Sequence, residues 1–445
     1  MPDTLFTTDA LRAVFSDRAR LARMLEFEAA VAHAEASVGV IPQHAADVIA
    51  TQCDVRYYDV AAIHRAMHDA GNLAIPLVAA LTRNVAAADA QAKGFVHWGA
   101  TSQDAIDTGL VLQLRDALAL IDADLARLTQ ALARQAWRHA ATVMAARTWL
   151  QQGLPITLGV KLAAIVSALD RHRDRIASVR AHDLVLQFGG AAGTLASLHD
   201  RGLAVTQALG TRLALDVPDL PWHTERDRLC EIAVTLGMVT ATLGKLARDV
   251  ALLAQTEVGE AFEPAAPGRG GSSTMPQKRN PVGASLALAA AVRVPGLVST
   301  MLSAAVQEHE RGVGNWPAEW ETLPALVMLT GGALDAMADV VEGLDVDADR
   351  MAANLELTHG LVFAEAAQMA LASAMGRDTA HSLVASACRR AVAQHVHLRD
   401  ILVAEPAVRD VLDADAIARL FDPAGYLGES RAYIERALIR HPAAG

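Results

Sequence analysis

Gly268-Arg269-Gly270-Gly271-Ser272-Ser273-Thr274-Met275-Pro276-Gln277-Lys278-Arg279-Asn280-Pro281 is the most distinctive stretch of this 445-residue sequence. Three glycines precede three hydroxyl residues, and a lysine and an asparagine follow just before a proline. Proline suits the first position of a helix, because the N–H it lacks has no intrahelical partner there. The stretch predicts a loop that folds over an anion, offering backbone N–H groups, hydroxyls, one ammonium and the positive end of a helix. It is not a Walker-type phosphate loop, since Gln277 and not glycine precedes Lys278. On composition alone, a linker ending in a helix N-cap explains it equally well.

Long helical patterns surround this loop. Apolar residues recur at helical spacing over Arg18 to Val38 and over Ala105 to Arg147, the latter with Leu110, Leu114, Leu118, Ile121, Leu125, Leu128 and Leu132 on one stripe. Pro155 reads as the first residue of a helix running to about Asp183. Glu231 to Glu260, Pro281 to Gln307 and Pro324 to Leu344 continue the series. Helices of this length must bury their stripes against one another, which predicts an all-α fold around a central long-helix bundle. Some stripes are wide enough to be buried on more than one side, as in a bundle shared between subunits. Breaks and helix lengths suggest an N-terminal helical domain (1–105), the central bundle with the loop (106–357) and a C-terminal helical domain (358–445).

Hydrophobic residues make up 52% of the chain and aromatic ones only 4%, a composition for close-packed helices rather than sheets. A formal net charge of -11 provides no general basic surface for nucleic acid or anionic lipid. An anionic substrate would need positive groups concentrated locally. Cys53, Cys230 and Cys388 are too few and too scattered for a disulfide framework or a paired-cysteine metal site. The first residues carry Asp3, Asp9 and Asp17 and lack a signal-peptide apolar run. The apolar stretch from Ser285 to Val306 is interrupted by Arg293 and Pro295 and reads as a core helix rather than a membrane span. A soluble, cytoplasmic protein is expected.

Four further segments carry polar chemistry. His97-Trp98-Gly99-Ala100-Thr101-Ser102-Gln103-Asp104 ends in a capping box that opens the longest helix, and hydroxyls at a helix N-terminus also suit carboxylates. Arg147-Thr148-Trp149-Leu150-Gln151-Gln152-Gly153-Leu154-Pro155 contains a tryptophan that, taken alone, reads as a core residue. His309-Glu310-Arg311 leads to Trp316 and Trp320, for which core packing and a binding role weigh evenly. His68 precedes Ala70-Gly71-Asn72-Leu73-Ala74-Ile75-Pro76-Leu77-Val78, and a role in packing or in supporting a neighbouring site residue suits it better than an acid's.

Gly271 to Pro281 closely resembles the GSSxMPxKxNP signature of the fumarase/aspartase superfamily. Residues 97–108 resemble the HxGxTSxDxxDT block of its adenylosuccinate lyase branch, and residues 147–155 resemble the RTHxQxAxP block of its lyases. Gly189 to Thr194 is similar to the superfamily's GGAxGT turn, and the chain from about Gly360 to its adenylosuccinate lyase C-terminal segment. Residues 70–78 are most similar to the branch of 3-carboxy-cis,cis-muconate cycloisomerases.

This resemblance implies that Ser272 is the catalytic base toward a carbon next to a substrate carboxylate. Lys278 and Asn280 would bind the substrate and stabilise the charge that builds on that carboxylate. His97, Thr101, Ser102, Thr148, Trp149, Gln152 and Arg311 fall at substrate-binding positions. It also implies a homotetramer with sites shared between subunits, a small tricarboxylate substrate, and neither metal nor organic cofactor. Two positions depart from the lyase pattern. Trp149 stands where lyases carry a histidine, often the general acid, and Trp320 stands where the nucleotide lyases carry a second arginine. A cycloisomerase adds a carboxylate across a conjugated double bond, which read backwards is a β-elimination. The leaving carboxylate, with an ordinary pKa of about 4, departs as an anion and gains little from an acid. An adenylosuccinate lyase-like elimination is the alternative, and Trp149 and Trp320 weigh against it. A catalytically silent structural protein is a third reading, opposed by the intact Ser272, Lys278 and Asn280.

Overall fold

A computed structural model describes residues 4–265, 270–271, 274–275 and 277–443. Among them, eighteen α-helices and four short strands account for the regular structure, as the all-α expectation requires. The elements that position the site are α1 (Asp17–Ser37), α2 (Ser102–Arg138), β1 (Val143–Thr148), β2 (Gln151–Thr157), α3 (Leu158–His182), α4 (Asp227–Leu253), α5 (Val282–Ala304) and α6 (Asn315–Glu342).

Local chemistry sets the ends of these helices. The Ser16 side chain accepts from Ala19 N at the start of α1, and Gly39 leaves the helix at φ 76°. At α2 the Thr101 N–H donates to the Asp104 carboxylate at 3.0 Å, one half of the expected capping box. The stripe of Leu114, Leu118, Ile121, Leu125, Leu128 and Leu132 is buried as its spacing predicts.

Several boundaries differ from the sequence reading. The helix expected over Ala105 to Arg147 ends at Arg138, and a hairpin follows, with Val143 opposite Thr157 and Thr148 opposite Gln151. Pro155 does not start a helix. It lies in β2 opposite Ala145, beside a register shift between Ala145 and Arg147, where a residue without an N–H is tolerated. Helix α3 begins at Leu158 instead, with Thr157 Oγ1 accepting from Val160 N at 3.2 Å. Helix α4 starts at Asp227 and stops at Leu253, well short of Glu260. Helix α6 starts at Asn315, and Pro324 sits inside it. Fully buried Leu323, Leu326 and Val327 supply the packing that carries the helix past the hydrogen bond the proline lacks.

By packing, the chain divides into two compact units. Met1–Ala126, Arg171–Gly244 and Leu286–Asp335 form the first, and Arg127–Asp170, Lys245–Ser285 and Ala336–Gly445 the second. The first is built on the apolar faces of α1 and of the N-terminal part of α2, together with Leu229, Ile232, Leu236 and Val239 of α4. The second contains a cluster of short C-terminal helices around Phe363, Leu371, Val384, Leu398, Leu402 and Ile417.

By length and composition alone α4, α5 and α6 are apolar enough to cross a membrane, and α5 continues unbroken through Arg293 and Pro295. The expectation of a core helix there needs correction. In the most apolar windows of α4 and α6, 61% and 67% of residues are buried within the chain, but in that of α5 only 28%.

Candidate active site

In the first unit, polar groups gather at the N-terminus of α2. The Thr101 and Ser102 side chains are half-buried and make no hydrogen bond among the described residues. Unpaired hydroxyls beside the positive end of a 37-residue helix form an anion-binding arrangement. Asp104, two residues on, does not share this role. Its fully buried carboxylate accepts from Thr101 N, Gly189 N, Gly190 N and His223 Nε2 at 2.8–3.0 Å, which pins the Gly189–Gly190 turn to the helix start. Gly190 has φ 67°, and a Cβ there would meet Gly99 O at 2.8 Å, so the turn admits only glycine.

Arg311 reaches the same place. Its Nε donates to Gln103 Oε1 at 3.0 Å, and Gln103 Nε2 in turn donates to Asp107 and to His223 O. Arg311 Nη2 is buried without an acceptor among the described residues, a costly state that an anionic partner relieves. Below it lies a fully buried ionic layer in which Arg226 donates to Asp107 (2.6 Å) and Glu319 (2.5 Å) and stacks on Trp222. Burial alone would lower the Arg226 pKa, but the two carboxylates more than offset it and raise it. Trp316 is a core residue whose Nε1 donates to Asp107 at 3.1 Å, and Trp320 packs edge-on against it at 4.9 Å. A cavity of about 510 Å³ bordered by Gly193, His223, Thr224, Arg228, His309 and Glu310 opens in this unit, within the size range of small-molecule sites.

His97 is held tightly. Its Nδ1 lies 2.7 Å from Glu28 Oε1, and Glu28, on α1, is 2% exposed. Burial would lower the His97 pKa, but Glu28 and then Asp104 outweigh it and raise it above the ordinary histidine value. The backbone of His97 has φ 58°, a strained region for a side chain with a Cβ and one that persists where surroundings enforce it.

The second unit carries the other set. Arg147 forms a bidentate pair with the fully buried Glu260 at 2.8 and 2.6 Å, and Asn354 Nδ2 donates to the same carboxylate at 2.7 Å. Gln152 Nε2 donates to Asn354 O, while its Oε1 is buried without a donor among the described residues. These contacts fix the hairpin base. Its turn is Trp149-Leu150, at φ 53° and 63°, a conformation that normally selects Asn and Gly. Trp149 is therefore no core residue; it is 98% exposed, and Thr148 beside it is exposed too. Lys278 and Asn280 border a cavity of about 150 Å³ with Gly270, Gly271, Phe262 and Glu263. Asn280 N donates to Gly270 O, and a Cβ on Gly270, at φ 67°, would meet Asn280 O at 2.7 Å. The Glu263 carboxylate caps α5 through Gly283 N and Ala284 N, and Arg279 is anchored to Asp345 and Glu263 O. Ser272 lies outside the described residues.

His97, Thr101, Ser102 and Arg311 thus come together in the first unit, and Lys278, Asn280, Thr148, Trp149 and Gln152 belong to the second. The His68 side chain is 93% exposed within this chain and lies 3.2 Å from Asp69, so it is not packed in the core of the described residues. The sequence reading missed Glu28, Arg226, Glu260 and Asn354. Glu28 and Glu35 are charged residues on the buried face of an apolar helix, seven apart, and that placement was the available signal.

An all-helical chain with unpaired hydroxyls and an arginine at a long-helix N-terminus, and a Gly/Ser loop ending in lysine and asparagine, describes a lyase-type enzyme. Residues 5–296 match the Lyase family and residues 360–437 the adenylosuccinate lyase C-terminus family, and the chain belongs to the fumarase/aspartase superfamily. It is 57% identical over 443 residues to the 3-carboxy-cis,cis-muconate cycloisomerase of Pseudomonas aeruginosa, covering 100% of this chain and 96% of that one. It is 52% identical to the enzyme of the same name from Bradyrhizobium diazoefficiens, covering 98% and 96%. The crystal structure of the 3-carboxy-cis,cis-muconate lactonizing enzyme from Pseudomonas putida superposes with a TM-score of 0.94 at 52% identity, covering 98% of both chains.

Proposed function

We propose that this chain catalyses the cycloisomerisation of 3-carboxy-cis,cis-muconate to a carboxymuconolactone by reversible addition of a carboxylate across a conjugated double bond. The observation that carries this reading is the 57% identity, over essentially the whole of both chains, to an enzyme of that name. In the lactone-forming direction Ser272 delivers the proton to the α-carbon, a role that rests on resemblance to the superfamily signature. Lys278 and Asn280 stabilise the charge on the neighbouring carboxylate, as preplaced donors must for an aci-carboxylate intermediate. Thr101, Ser102, His97 and Arg311 receive a second carboxylate, and Thr148, Trp149 and Gln152 line the same substrate. An exposed tryptophan in the lyases' acid position fits a reaction whose leaving group is a carboxylate, with an ordinary pKa of about 4.

The working form in this proposal is a cytoplasmic homotetramer whose sites draw residues from several subunits. The exposed apolar length of α5 and the strained, exposed Trp149-Leu150 tip support it, because apolar surface of this extent is normally covered. Purified protein mixed with 3-carboxy-cis,cis-muconate in a spectrophotometer tests the function. Loss of the diene absorbance is expected. An inert mixture, with adenylosuccinate turned over instead, would overturn the assignment in favour of a nucleotide lyase, and inertness toward both would favour a silent structural protein.

A further inference from the structure

We infer that Glu28 is a positioning residue that fixes His97 as an imidazolium and presents its Nε2 N–H to a substrate carboxylate. This rests on the reading above that His97 touches the substrate. The geometry is a buried carboxylate 2.7 Å from Nδ1 of a residue whose backbone is held at φ 58°. A histidine whose Nδ1 is engaged by a carboxylate keeps one ring orientation and offers its other nitrogen outward. His97 Nε2 has no hydrogen bond among the described residues and is not buried, so it is free to donate.

The charges around His97 agree. Glu28 faces it from α1 and Asp104 from α2, and both favour the charged ring over the cost of burial. Glu35, one heptad along α1, is fully buried with neither oxygen hydrogen-bonded among the described residues. Burial first, and then repulsion from Glu28, push its pKa up to about 9, so it holds a proton at neutral pH. The Cys53 thiol, raised by burial and by Glu28, is neutral as well.

The test reads His97 directly. Protein carrying 13C-labelled histidine is titrated by NMR, with His97→Asn identifying the resonance, and propane-1,2,3-tricarboxylate serves as a ligand that cannot lactonise. The wild-type His97 signal should be that of imidazolium at neutral pH and should move when the tricarboxylate binds. Glu28→Gln should shift its titration to lower pH and weaken tricarboxylate binding by roughly tenfold, the loss of one charge-assisted contact, with Glu28→Asp intermediate. A neutral wild-type His97 at pH 7, or unchanged titration and affinity in Glu28→Gln, would overturn the inference. Neither readout needs turnover, so a failure of the proposed reaction shows separately, as unchanged diene absorbance with the His97 titration intact. If Glu28→Gln does not fold, the wild-type titration and its response to the tricarboxylate still decide.

Discussion

Ser272 and Trp149 separate the candidate reactions more sharply than any other pair of side chains. If Ser272 transfers the α-proton, Ser272→Ala should lower kcat by at least the ~10²–10⁴-fold typical of a general acid–base group while substrate binding largely survives. A near-normal kcat in that variant would remove the mechanism. Trp149→His restores the residue of the lyase pattern, yet with a carboxylate leaving group the added imidazole should not raise turnover. A gain on adenylosuccinate in the same kinetic comparison would instead favour the nucleotide reading. Glu35 gives a prediction on stability. Its folded pKa of about 9 stands above the ordinary 4.5, so folded protein keeps a proton that unfolded chain has released. Stability must therefore fall as pH rises from about 4.5 toward about 9. Glu35→Gln should raise the melting temperature at pH 8 and flatten its pH slope, and an identical slope in variant and wild type would contradict the assignment. These residues were unequally legible. Ser272, Lys278 and Asn280 stand in one contiguous signature, whereas Glu28 meets His97 across 69 residues of chain, and only folding pairs them.

At the scale of elements, the ionic layer of Arg226 with Asp107 and Glu319 ties α2 and α6 to the start of α4. Arg226→Met leaves two buried carboxylates without their cation and should cost about 3–5 kcal/mol in denaturant unfolding. Replacing all three by apolar residues of similar volume should recover most of that, since a buried ion network is costly to break but not to substitute. Recovery that fails would show that the network holds a geometry apolar packing cannot reproduce. The long helices were readable because each carries an apolar stripe over many turns, which fixes the element better than its ends. The β1–β2 hairpin was not readable. Trp149-Leu150 lacks the Asn-Gly chemistry of a two-residue turn, and Pro155 mimics a helix start while sitting beside a bulge. The same departure that hid the hairpin makes its tip conspicuous, because two strained, exposed apolar residues need a reason that their own unit does not supply.

For the whole molecule, the long apolar helix α5, with only 28% of its most apolar window buried within its own chain, supports the proposed assembly. Light scattering should report a tetramer, and mixing an inactive Thr101 or Ser102 variant with Ser272→Ala should restore part of the activity, since mixed assemblies contain some sites with every group intact. A fully active monomer would contradict shared sites. Helix α2 alone, at 37 residues, spans about 55 Å at about 1.5 Å per residue, so motifs at helix ends converge most simply when several subunits supply them. The sequence read α5 as a core helix and did not show how little of it one chain buries, because apolar composition does not say which copy covers a helix. Addition of a carboxylate across the diene with protonation of the α-carbon by Ser272 can be followed by running the reaction on 3-carboxy-cis,cis-muconate in D2O and reading the product by NMR. The expected product is a carboxymuconolactone carrying one deuterium at the carbon next to a carboxylate, formed by wild type and not by Ser272→Ala. A lactone without that deuterium, or unchanged muconate in the presence of folded wild-type protein, would contradict it.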